Sequence, residues 1–61
     1  MANLTSKELV ALDDQLSAEN LLVKKYKTMS QQANDQVLKT KFEQIAAKHQ
    51  DHYNRLYSYL Q

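Results

Sequence analysis

Glu19, His49 and His52 are the residues of this chain best suited to chemistry. Carboxylate oxygen and neutral imidazole nitrogen are ordinary ligands of zinc and serve iron equally well. His49 and His52 stand three apart, so on a helix their rings project from neighbouring positions of one face and can hold one ion together. Glu19 lies as far before residue 34 as His49 lies after it, and a chain that reverses there brings all three to one level. A two-fold bundle would hold this set twice. The same residues have a second reading. A buried histidine beside a glutamate is often a plain hydrogen-bonded pair, and one polar layer in an apolar helical core can fix register and partner number. The spacing leaves both readings open and favours the second.

No other constellation competes. Ser17, Thr28 and Ser30 fall within a helical pattern, without the strained turn that exposes a hydroxyl nucleophile and without a Gly-rich loop for an oxyanion or phosphate. Asp13 and Asp14 are adjacent, so on a helix they point in different directions and form an exposed acidic face rather than an acid/base pair. The chain is therefore expected not to be an enzyme. Lys24, Lys25 and Lys27 make the only basic cluster in a chain of formal net charge +1, which suits a solvated helix face and predicts no nucleic-acid partner.

Two rods must position the three residues. Leu9, Leu12, Leu16, Val23, Tyr26 and Ala33 recur at mixed three- and four-residue spacing, as do Leu38, Phe42, Ile45, Leu56 and Tyr59. Glu19 falls on the first stripe, and His49 and His52 fall on the second. Thr5-Ser6-Lys7-Glu8 is a capping box, with Leu4 and Leu9 placed as a hydrophobic staple around it. Asn34-Asp35 is the turn-forming pair between the stripes, and Asp35 can cap the helix that follows. The expectation is an all-α antiparallel two-helix hairpin, one domain over residues 1–61, with helices over about 5–33 and 36–60.

With 61 residues, a lone core buries little surface. There is no Cys to staple it, and Gly 0 and Pro 0 fit long unbroken helices. Leu22 and Met29 beside the first stripe, Ala46, Tyr53 and Leu60 beside the second, and Val10 and Leu21 beyond them add apolar area that one partner helix cannot cover. The chain is accordingly expected to form a homodimer whose two hairpins make a four-helix bundle. Tyr26 and Phe42 should pack together near the loop. Tyr53, Tyr57 and Tyr59 gather at the other end, where phenols can bury a ring and keep the hydroxyl wet. No basic region followed by an apolar run opens the chain and no segment has the length of a membrane span, so synthesis in the cytoplasm and no membrane association are expected.

The run Leu4-Thr5 to Leu12, the segment Leu16-Ser17-Ala18-Glu19-Asn20-Leu21-Leu22 with Lys24-Lys25-Tyr26, and above all Ile45-Ala46-Ala47-Lys48-His49-Gln50-Asp51-His52-Tyr53 resemble the spore coat protein F (CotF-like) family. The resemblance covers nearly the whole chain. It implies a ferritin-like helical fold, a role in or derived from the endospore coat, other coat proteins as partners, and no established reaction. Ferritin-like di-metal centres place, in each helix pair, one Glu on the first helix and a Glu-x-x-His on the second. Glu19 and His52 match that pattern, whereas His49 stands where the second Glu belongs. The missing carboxylate argues against oxygen-activating di-iron chemistry even if zinc or iron binds.

Overall fold

The computed structural model describes residues 3–61; Met1 and Ala2 of the expected domain lie outside the described residues. Two helices, α1 (Ser6–Gln32) and α2 (Gln36–Tyr57), fold back on one another through Ala33, Asn34 and Asp35, giving an all-helical hairpin 46 Å long. Both start signals work as the sequence predicts. The Glu8 amide donates to Thr5 Oγ1 at 3.1 Å while the Thr5 amide donates to Glu8 Oε1 at 2.9 Å, closing the capping box. Asp35 accepts from the Val37 amide at 2.9 Å, so the residue that ends the turn also begins α2.

The helices are antiparallel and held in one register. The Glu19–His49 and Tyr26–Phe42 pairs each sum to the same residue number, which is what two rods running in opposite directions require. Tyr26 and Phe42 meet with ring centroids 6.0 Å apart, and Lys25 Nζ lies over the Tyr26 ring, 5.6 Å from its centroid. Tyr53 and Tyr57 stack one turn apart at the open end.

The packing differs from the expected stripes at several positions. Leu16, Val23 and Ala46 form the buried apolar core, while Leu12, Leu22, Tyr26, Phe42, Ile45, Tyr53 and Leu56 are only half-buried. Leu9, Leu38 and Tyr59 were expected on the seam and are exposed. Ala46, expected at the flank, is buried, and so is Ser30. The reason is geometric. Two cylinders touch along a single line, where small residues permit close approach, and larger side chains a fraction of a turn away stay open on one side. The second helix also ends early. The Ser58 hydroxyl donates to the Arg55 carbonyl at 2.6 Å, and Ser58–Leu60 tightens into a 3-10 turn rather than continuing α2 to residue 60.

Candidate functional site

The hairpin brings Glu19, His49 and His52 together, as their equal distances from the turn require. One donor atom from each lies within 4.8 Å of the other two. Glu19, at mid-length of α1, is only 7% exposed. Both its oxygens are engaged: His49 Nδ1 donates to Oε1 at 2.6 Å, and Gln15 Nε2 donates to Oε2 at 3.0 Å from one turn earlier. The bond from His49 holds the Glu19 carboxyl below its ordinary value, against the opposing effect of burial, with smaller contributions from Gln15 and from the charges of His49 and His52.

The two imidazoles occupy different environments. His49 is 23% exposed, and its ring stacks on Tyr26 with centroids 6.0 Å apart and planes 10° apart. One helical turn on, His52 meets the edge of the His49 ring at 5.7 Å and lies 3.7 Å from Glu19 Oε1. It remains 52% exposed, so within one hairpin the two rings are unequally enclosed. Its side chain stands at the mouth of a shallow groove lined by Gln15, Glu19, Arg55 and Leu56. Arg55 pairs there with Asp51 at 3.1 Å.

Two further side chains support the site. Gln15 sits one turn before Glu19, a spacing at which side chains meet, so its hydrogen bond was accessible to pattern. Tyr26 lies seven residues after Glu19 on the same stripe, and its ring has two neighbours on α2, Phe42 and His49, of which spacing indicates only the first.

Chemically, the arrangement is a carboxylate–imidazole pair with an adjacent, half-open imidazole. As it stands the layer is satisfied, and among the described residues no buried side-chain polar atom lacks a hydrogen-bond partner. A di-iron carboxylate centre does not fit these side chains: each hairpin supplies one carboxylate, and its second oxygen already accepts from Gln15. A single imidazole-rich ion does fit the donor types. Among the described residues no helix is long and apolar enough to cross a membrane.

No protein-family model matches the chain. No solved structure matches it. A curated protein of Bacillus subtilis (strain 168), named "Uncharacterized protein YuzM", is 36% identical over 58 residues, an alignment that spans 95% of this chain and 72% of that protein. At that identity and coverage, the chain belongs to the family of the Bacillus subtilis protein YuzM.

Proposed function

We propose that this protein is structural and acts by self-association, with the hairpin as the unit and a two-fold homodimer, an antiparallel four-helix bundle, as the assembly. The observation that carries this reading is surface left uncovered. A compact monomer of 7.1 kDa exposes about 4,100 Å². This hairpin exposes 4836 Å². The excess belongs to an elongated body, 46 × 15 × 11 Å, whose open flanks a second hairpin would cover. Among the described residues no side chain is fully buried. A chain whose buried apolar core is Leu16, Val23 and Ala46 gains much from a second layer of helices.

In this reading the Glu19, His49 and His52 layer specifies which helices face each other, since a misaligned partner would bury these polar groups without satisfying them. The resemblance to CotF-like proteins gives the cellular setting: synthesis in the cytoplasm and incorporation into, or association with, the spore coat. Sedimentation equilibrium of the untagged chain tests the assembly, with a mass of about 14 kDa expected for the two-fold dimer. A fluorescent fusion followed through sporulation tests the setting, and a signal that stays diffuse in the mother cell and never reaches the forespore surface refutes it.

A second reading, supported by the convergence of three donor groups, is a ferritin-like module that binds zinc or iron without oxidase activity. Metal analysis of protein purified without chelator or affinity tag separates the two readings.

A further inference from the structure

We propose that Glu19, His49 and His52 form an incomplete site for a zinc-class divalent cation, closed when a second copy of the hairpin covers the face that carries His52, so that ion binding and pairing strengthen each other. This inference rests on the self-association reading above and adds its regulation.

The donor geometry comes first. A tetrahedral zinc ion bound by nitrogen and oxygen at 2.0–2.2 Å sets its ligand atoms roughly 3.3 Å apart. His49 Nδ1 and His52 Nδ1 lie 2.6 Å and 3.7 Å from Glu19 Oε1, values that bracket this spacing. Shifts of well under 1 Å would bring each nitrogen to the required distance from the carboxylate oxygen. For an ion to enter, the proton on His49 Nδ1 shifts to the other ring nitrogen of a neutral ring or leaves a charged ring to solvent, and a lone pair then faces inward.

Restraint is unevenly distributed among the donors. Glu19 is tied at its second oxygen by Gln15, and the His49 ring lies flat against Tyr26. These two are held before any ion arrives, and such support of metal ligands by neighbouring groups strengthens binding. His52 is the free arm, exposed over half its surface. Among the described residues only these three are grouped as metal donors, which leaves a tetrahedral ion one position unfilled.

Glu19 and His52 also line a groove with Gln15, Arg55 and Leu56. Arg55 is occupied by Asp51, so the groove does not present a lone positive charge to an entering cation. Leu22 and Met29 of α1 and Leu38 and Ile45 of α2 fall on the same side of their helices as Gln15 and His52 by helical spacing. A second hairpin laid on this apolar side covers the ion, replaces or encloses the ligand at its open position, and lowers the local dielectric around it. An ion that binds the pair more tightly than the single hairpin must tighten pairing by the product of the factors at the two sites.

The test uses the untagged full chain, stripped with chelator and titrated with zinc chloride, with stoichiometry read by chelator competition and association by sedimentation velocity. The expected result is one zinc per chain and a dimer dissociation constant lowered about tenfold or more by saturating zinc. The His52→Ala variant should keep its helical circular dichroism, because the side chain is largely outside the core of the single hairpin, and its dimer dissociation constant, whatever its value, should be the same with and without zinc. The inference is overturned if zinc does not bind, if His52→Ala binds it as tightly as the parent chain, or if zinc binds without changing the dissociation constant. A chain that dimerises equally well with and without zinc sinks the ion inference and leaves self-association standing. A chain that stays monomeric under both conditions sinks the self-association reading itself.

Discussion

Truncating Leu38 distinguishes a covered apolar face from an open one. Leu→Ala removes three carbons, worth about 2.4 kcal/mol of transfer free energy when the side chain is fully buried. In the single hairpin Leu38 keeps 49% of its surface, so only about half of that, ~1.2 kcal/mol, belongs to the fold of one chain. The other half, again ~1.2 kcal/mol per chain, exists only if a partner covers the residue. A two-fold dimer contains two copies, so Leu38→Ala should weaken association by about 2.4 kcal/mol, a rise of roughly fifty-fold in the dissociation constant. Leu21 supplies a matched control: it is 67% exposed on the outer side of α1, and Leu21→Ala should change neither folding nor association by more than ~0.5 kcal/mol. Sedimentation equilibrium over a hundred-fold range of concentration measures both constants. Equal dissociation constants for Leu38→Ala and Leu21→Ala would refute the argument that this face is the interface.

Three further predictions concern the hairpin itself. Thr5→Ala removes one half of the capping box and should cost about 1 kcal/mol, a fall of roughly 4–8 °C in the thermal midpoint; an unchanged midpoint would mean the first turn frays without consequence. The hydrogen bond from the Thr5 amide holds Glu8 below its ordinary value of 4.5, and the bond from His49 does the same for Glu19. Folded values below unfolded ones mean that this stabilisation is complete above about pH 4.5 and is lost as the pH falls through the folded values. Thermal midpoints of chelator-treated protein should therefore drop below pH 4.5 less steeply in Glu8→Gln than in the parent, and parallel slopes would contradict the assignment. Ser30→Leu places a large side chain where α1 is buried beside Ala46, and should cost about 1–3 kcal/mol through overpacking, read by denaturant titration.

The parts of this molecule legible in its sequence are those set by local rules. The Thr5–Glu8 box and the Asp35 cap need only a few consecutive residues, and each appears in place. The meeting of Glu19 with His49 follows once the turn is located, because an antiparallel pair of equal-pitch helices has a single mirror point. What spacing could not reveal is how far a residue lies from the line of contact. Leu38 and Leu9 obey the stripe as well as Leu16 does, yet Leu16 is buried and they are not. Periodicity reports which side of a helix is apolar, and it is silent on whether one neighbour or two are needed to cover that side.

His52 shows where this distinction becomes functional. By spacing it is the equal of His49, and both fall on the second stripe; in the hairpin, His49 lies between Glu19 and Tyr26 while His52 stands at the rim. A polar residue placed on a stripe but left outside the two-helix core is poorly explained by packing within one chain. It is explained if the stripe belongs to a larger assembly, in which the rim of one hairpin becomes the middle of the bundle. The half-buried residues Leu22, Ile45 and Leu56 make the same argument in apolar terms. An unpaired hairpin leaves them open, and a misaligned pair would bury the His52 ring without a partner. Under the proposed self-association, the pairing selected is the one that covers Leu22, Ile45 and Leu56 and satisfies the imidazole together.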